Sequence, residues 1–81
     1  MDTNTTAIAH RVEAARRAQG VEIRPLALAT GIPRTTLKRM LEGHTDFGAS
    51  QLVRVAIELK ADAASWITNL PAASKQAQVA A

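Results

Sequence analysis

The sequence contains no cysteine, and its only aromatic residues are Phe47 and Trp66. Without cysteine, the chain has neither a disulfide framework nor a thiolate ligand for a metal. No apolar run approaches the roughly 20 residues that a membrane-spanning helix requires. The N-terminal segment MDTNTT lacks the basic and apolar regions of a signal peptide. These absences predict a cytoplasmic protein that does not associate with a membrane.

Catalytic patterns are also scarce. The two histidines, His10 and His44, belong to no serine–histidine–acid arrangement, no pair of carboxylates shares a face, and no glycine-rich phosphate loop is present. His44 and Asp46 are two possible metal ligands, but they lack a third and are more simply polar groups of a loop. We therefore expect a protein that is not an enzyme and that has no cofactor, no metal site and no small-molecule ligand.

Length and composition favour one small helical domain. The chain has 81 residues, enough for a single domain with a thin core, and 17 of its apolar residues are alanine. Abundant alanine, leucine and arginine favour helices over strands. The net charge of +3 indicates an anionic partner. The distribution of that charge is more informative, because the stretch from Arg24 to Leu41 holds four basic residues and no acidic residue.

Glycine and proline residues at the expected boundaries divide the chain into five helices and no sheet. The predicted helices span residues 6–19, 23–30, 33–42, 49–60 and 63–70. Together they form a predicted domain over residues 6–70, preceded by a flexible N-terminus at 1–5 and followed by a tail at 71–81 without apolar periodicity.

The third predicted helix has two distinct faces. At roughly 100° per residue from Arg34, its apolar residues fall between roughly 240° and 340°, and its other polar residues between roughly 40° and 140°. The apolar set is Leu37, Met40 and Leu41; the polar set is Thr35, Lys38, Arg39 and Glu42, with Thr36 at the boundary. A basic face opposite a core face is common on surface helices, so charge by itself does not establish a binding site.

The side chains of this polar face suit the major groove of DNA, where all four base-pair arrangements differ. Arg34 and Arg39 can each bind guanine O6 and N7, and Thr35 can bind a base edge or contact a thymine methyl group. Lys38 is better suited to a phosphate. The backbone amides at the start of the helix are further phosphate donors.

The spacing of apolar and small residues around Gly31 is what two helices joined by one tight turn require. The segment LALATGIPRTTLKRMLEG resembles the helix-turn-helix of the lambda-repressor-like family, which includes phage Cro proteins, phage repressors and XRE-type bacterial regulators. The resemblance extends over about residues 6–70. It implies a five-helix domain that binds near-palindromic operators as a homodimer.

The resemblance also implies functional residues. Base contacts are expected from Arg34, Thr35, Thr36 and Arg39. Phosphate contacts are expected from Lys38, Arg24 and Arg17 and from the loop at His44 and Thr45. Three positions depart from the usual family pattern: Pro33 replaces a Ser or Thr cap, Ile23 replaces a Gln that contacts DNA, and Glu22 replaces a cap and would repel phosphate.

The first helix carries Arg11, Arg16 and Arg17, which are either solvated charges or, for one of them, a phosphate contact. Glu13 and Arg17 are spaced four apart as a surface ion pair. Arg16 has a further alternative, an internal ion pair with an acid such as Glu42.

The apolar residues Val53, Ile57, Trp66 and Leu70 on the last two helices are the candidate dimer interface, although Trp66 also suits the core. The predicted function is sequence-specific binding of double-stranded DNA by a transcriptional regulator. A Cro-like phage repressor that occupies an operator fits the length best, and an activator is also consistent. The alternative is an antitoxin-like or adaptor module whose main partner is another protein.

Overall fold

The structure, a computed structural model, describes residues 3–71, which contain five α-helices and no strand. The helices are α1 (Thr3–Gln19), α2 (Ile23–Thr30), α3 (Arg34–Leu41), α4 (Ala49–Glu58) and α5 (Ala63–Ile67). The predicted all-α, five-helix fold is therefore confirmed. No helix within this part of the chain has both the length and the apolar character needed to cross a membrane.

Helix α1 begins three residues earlier than the sequence predicts. Residues 3–5 are helical rather than part of a flexible N-terminus, and Thr5 is buried at 3% exposure. The hydroxyl of Thr5 donates a hydrogen bond to the carboxylate of Asp46 in the loop after α3. This contact between distant segments extends the helix. The predicted tail at 71–81 lies outside the described residues from residue 72 onwards.

The last two helices end earlier than predicted, and left-handed residues mark both ends. Helix α4 stops at Glu58, and Lys60 has φ 54°, which lets the amide of Ala61 reach the carbonyl of Ala56 at 2.9 Å. Helix α5 stops at Ile67 rather than at residue 70 because Asn69 has φ 56° and Leu70 precedes a proline, which disfavours helical geometry. Asp62 caps α5, as predicted, by accepting a hydrogen bond from the amide of Ala64 at 3.0 Å.

The core lies where α2 packs against α3 and α4, while α1 contacts α3 and α5. Its most deeply buried side chains come from four of the helices and from the turn that ends α4: Val12, Leu26, Leu37, Val55 and Leu59. Burying one such aliphatic side chain contributes ~1.5–3 kcal/mol relative to leaving it in water. Residues from α1 and α2 thus hold the back of α3, and α4 packs behind α2.

Candidate nucleic-acid interface

Helix α3 presents the two faces that its sequence predicts. Leu37, Met40 and Leu41 are buried in the core, with Leu37 at 0% exposure. The outer face carries Arg34, Thr35, Lys38 and Arg39, all exposed, and Thr36 is half-buried at the boundary. The apolar contacts therefore hold the helix so that its basic and hydroxyl side chains point into solvent.

The turn before α3 is fixed by both backbone geometry and a side chain. Gly31 has φ 76°, in the left-handed region, and its amide donates to the carbonyl of Ala27 at 3.0 Å. The buried hydroxyl of Thr30 donates to the carbonyl of Leu26 at 2.8 Å. Ile32 is buried at 3% exposure and anchors the turn to the core. The end of α2 and the start of α3 are thereby held in one arrangement.

The N-terminus of α3 has no side-chain cap. Pro33 occupies the cap position without a side-chain hydrogen bond, and the first amide bonded to the helix carbonyls is that of Leu37, which donates to Pro33 at 2.8 Å. The amides of the preceding first turn therefore lack intrahelical acceptors and lie at the positive end of the helix dipole. Such amides are suitable donors for a phosphate or another anionic group.

Three cations of α2 and α3 converge beside this helix terminus. Arg24 from α2 and Arg34 and Lys38 from α3 line one polar groove of ≈ 470 Å³, which we call the basic groove. Together with the exposed Arg39 they form what we call the basic face. Within residues 3–71, none of these four cations makes an ion pair or a side-chain hydrogen bond. Their positive charge is therefore available to an external partner.

Glu22 also lines the basic groove, immediately before α2. It is the N-cap residue of α2 but makes no side-chain capping bond, and it forms no ion pair with the described cations. A carboxylate here lowers the positive potential of the groove and repels a phosphate. Its effect is therefore opposite to that of the basic face.

Arg16 reaches the basic groove from α1 but is held by internal partners. Its Nε and Nη2 atoms donate to the Glu13 carboxylate at 2.5 and 2.9 Å, and Nη1 donates to the carbonyl of Val21 at 2.7 Å. The proposed pair with Glu42 is thus wrong, because Glu13 lies one turn away on the same helix. The hydrogen bond from Arg16 lowers the pKa of Glu13, and the same bond raises the pKa of Arg16.

The other two arginines of α1 differ in how much they are engaged. Arg11 donates to carbonyls in and just after the last turn of α5, at distances of 3.2 Å to Trp66, 2.6 Å to Thr68 and 3.3 Å to Asn69. Arg11 therefore has a structural role. Arg17 lies 3.3 Å from the Glu13 carboxylate, as its spacing predicts, but its side chain is 73% exposed. It is not among the residues that line the basic groove.

The loop after α3 lies at the opposite end of that helix from Arg34. The amide of His44 donates to the carbonyl of Arg39 at 2.9 Å, and its Nε2 atom lies 4.0 Å from the Glu42 carboxylate. The His44 side chain is exposed, whereas Thr45 is half-buried. In the described part of the chain, no three His, Asp or Glu side chains come together as metal ligands.

The candidate dimer residues separate into two pairs. Val53 and Ile57 on α4 are 50% and 68% exposed, as an interface requires. Trp66 and Leu70 are buried at 4% and 8% exposure, which confirms the core as the place of Trp66 and contradicts the alternative in which both residues form a surface contact. Both complete the interior of the monomer.

Sequence reasoning also missed two exposed apolar side chains, Leu28 at 77% and Ile67 at 51% exposure. Helical spacing places Ile67 on the same face as Trp66, but the short α5 does not bury it. Leu28 lies two residues after the buried Leu26 on α2. A helical projection of this short segment would have been the signal that identifies its outward position.

Comparisons with known proteins support the fold. No family profile matches the sequence, and no curated protein matches it. Among solved structures, the crystal structure of the clp gene regulator ClgR from Corynebacterium glutamicum is similar to this chain, with a TM-score of 0.79 and 24% sequence identity. The similarity covers 98% of this chain and 83% of that chain. At this level of identity, the likeness establishes the shared helical fold.

Proposed function

We propose that this protein is a transcriptional regulator that binds specific sequences of double-stranded DNA by placing α3 in the major groove. The observation that carries the proposal is the basic face, whose four cations have no internal partner among residues 3–71; three of them line the groove beside the uncapped start of α3. An exposed helix of this kind fits the width of the groove and offers donors to base edges.

The position of each side chain supports its proposed role. Arg34, Thr35, Thr36 and Arg39 contact bases, because they lie along the solvent-facing side and its boundary on α3. Arg24 and Lys38 contact phosphates on either side of the basic groove. We propose His44, Thr45 and Arg17 as outer phosphate contacts. Arg17 must break its 3.3 Å contact with the Glu13 carboxylate to bind a phosphate.

We further propose that the protein binds a near-palindromic operator as a homodimer and represses transcription in the manner of a phage Cro protein. The exposed Val53 and Ile57, four residues apart on α4, are suited to contact with a second copy. A dimer places its two α3 helices in successive major grooves, about 34 Å apart. The structural likeness to a gene regulator is consistent with this role.

The test begins with selection of bound duplexes from a random pool, followed by a salt titration on the enriched sequence. We expect a palindrome with half-sites about one helical turn apart, and an affinity that falls steeply with salt because phosphate contacts release counterions. The homodimer is tested by sedimentation, which measures the mass of the wild type and of Ile57→Glu, each alone and bound to the operator.

Lys60→Asn is the matched control for charge. Lys60 is an exposed cation outside the basic face, and asparagine tolerates its left-handed backbone. Equal losses of DNA affinity in Lys60→Asn and Arg34→Ala would show that net charge alone drives binding. A pool without enrichment, with weak binding to all duplexes alike, would favour the protein-interaction module as the function.

A further inference from the structure

Arg24 and Arg34 line a second groove in addition to the basic groove. This groove has a volume of ≈ 410 Å³, and its lining contains no acidic residue. Its other side chains are apolar: Ala27, Leu28, Ile32 and Pro33. We call it the apolar groove. It joins the outer side of α2 to the turn before α3, so it adjoins the proposed DNA-binding surface.

Leu28 is the most exposed of the large apolar residues in residues 3–71, at 77% exposure. A single exposed leucine is ordinary on a protein surface. Leu28 differs because it lies in one concave surface with the turn residues Ile32 and Pro33, and because Arg24 and Arg34 stand beside that surface. The combination is an apolar floor with a positively charged rim.

We propose that the apolar groove binds an acidic, amphipathic segment of another protein. The floor is suited to one or two leucine-like side chains, and the rim arginines are suited to carboxylates next to them in the segment. Charge complementarity supports this occupant, since both arginines lack internal partners in the described residues. A DNA backbone is a poorer occupant, because a row of phosphates leaves Leu28 without an apolar contact.

The two shared arginines predict regulation. Arg24 and Arg34 line both the apolar groove and the basic groove, so a segment bound to them removes two cations from the DNA-binding surface. The acidic segment and the operator therefore compete for the protein. This competition rests on the proposed DNA-binding function, whereas the docking of the segment does not.

The test uses a display library of 16-residue peptides in which leucine and glutamate are allowed at every position. The full chain is the bait, and Leu28→Gln is used for counter-selection. We expect enriched peptides with a net negative charge and leucines three or four residues apart. Because Leu28 is exposed and glutamine favours helices, the variant should keep the thermal stability of the wild type.

Fluorescence anisotropy on one enriched peptide then measures the variants. Leu28→Gln should weaken peptide binding about tenfold or more, since the leucine contact is lost. Arg24→Ala should also weaken it, whereas Lys60→Asn should not. Ile67→Gln is the matched apolar control, because Ile67 is 51% exposed on α5, lies outside the apolar groove and should leave peptide binding unchanged.

Competition with labelled operator duplex separates the two proposals. We expect the peptide to displace the duplex from the wild type. We expect no displacement from Leu28→Gln, although that variant should still bind DNA normally. Absence of any Leu28-dependent peptide would overturn the docking site even if DNA binding holds. A loss of DNA affinity in Leu28→Gln would instead assign the apolar groove to the DNA contact. Peptide binding without operator binding would contradict the proposed function and leave the docking site standing.

Discussion

The arginines of α1 and the cations of α2 and α3 have similar chemistry but opposite surroundings. Arg16 is held by a carboxylate and a carbonyl, and its side chain is only 14% exposed. Arg11 is held by three carbonyls at the end of α5 and just beyond it. Arg24, Arg34, Lys38 and Arg39, in contrast, are exposed and have no partner within residues 3–71.

The difference shows how a small basic protein divides its charge between folding and binding. Hydrogen bonds that hold Arg16 and Arg11 connect α1 to the segments after it and to the end of the domain. The cations of the basic face do not connect segments of the fold, because the back of α3 is already held by buried apolar residues. Net charge therefore overstates the charge available to an external partner, and the positions of the acceptors decide which cations remain available.

The largest expected effect on stability comes from Arg16→Ala. The change removes three hydrogen bonds from a charged group and leaves the partly buried Glu13 carboxylate less well paired. We expect a loss of ~2–3 kcal/mol in the free energy of unfolding, measured by urea denaturation. Arg17→Ala is the matched control, with an expected loss below ~0.5 kcal/mol because this residue is exposed. Equal losses would contradict the division between the two regions.

Arg34→Ala should weaken DNA binding but leave the stability of the fold nearly unchanged. Its exposed side chain makes no internal hydrogen bond or ion pair in the described residues, so the free energy of unfolding should change by less than ~0.5 kcal/mol. Binding to the selected operator should lose ~1–3 kcal/mol, with discrimination relaxed at one base pair of each half-site. Arg39→Ala should do the same at a different base pair. Titrations against every single-base-pair variant of the operator measure both, and an affinity loss uniform over all variants would argue against base recognition.

Lys38→Ala should have a smaller and less specific effect. If Lys38 contacts a phosphate, binding to all sequences should weaken alike, and the slope of log affinity against log salt should fall by about one. Affinities at four or more salt concentrations give the slope. A change confined to one operator variant would move Lys38 from the phosphate contacts to the base contacts.

The smallest effect concerns pH and Glu13. The hydrogen bond from Arg16 lowers the pKa of Glu13 in the folded protein, so the unfolded chain binds the proton first as pH falls. This contribution to stability is complete at neutral pH. It is lost below the ordinary glutamate pKa of about 4.3, as the pH falls through the lowered folded value.

Urea denaturation between neutral and acid pH tests whether stability is lost as the pH falls. Glu13→Gln should remove part of the acid destabilisation, although it lowers stability at neutral pH. Glu58→Gln is the control, because this exposed carboxylate on α4 makes no ion pair in the described residues. If Glu13→Gln had the same pH dependence of the free energy of unfolding as the wild type, the ion pair between Glu13 and Arg16 would not be its cause.

Much of the architecture could be predicted because its signals are local. Gly31 requires a left-handed turn, Asp62 caps a helix, and the apolar spacing of α3 defines its buried face. The errors arose where distant segments decide the result. The start of α1 includes a hydrogen bond between Thr5 and Asp46, which lie far apart in sequence. The exposure of Ile67, on the face predicted to be shared with Trp66, depends on how the short α5 packs against α1 and α4.

The candidate site was only partly predictable for the same reason. Spacing on one helix identified the basic and hydroxyl residues of α3, and their exposure follows from the burial of the opposite face. It did not identify the apolar groove, which forms only when α2 and the turn before α3 come together. Helical spacing paired Glu13 with Arg17, and it did not identify the same carboxylate as the partner of Arg16, three residues along the helix.

The sequence by itself determined the helical content, the turn at Gly31 and the composition of the outer face of α3, because each depends on neighbours within one or two helical turns. Tertiary structure decided which cations remain unpaired, which apolar side chains remain exposed, and that Arg24 and Arg34 lie between two grooves. These properties depend on acceptors, cavities and packing partners that chain folding brings together from separate elements, over distances that local periodicity does not encode.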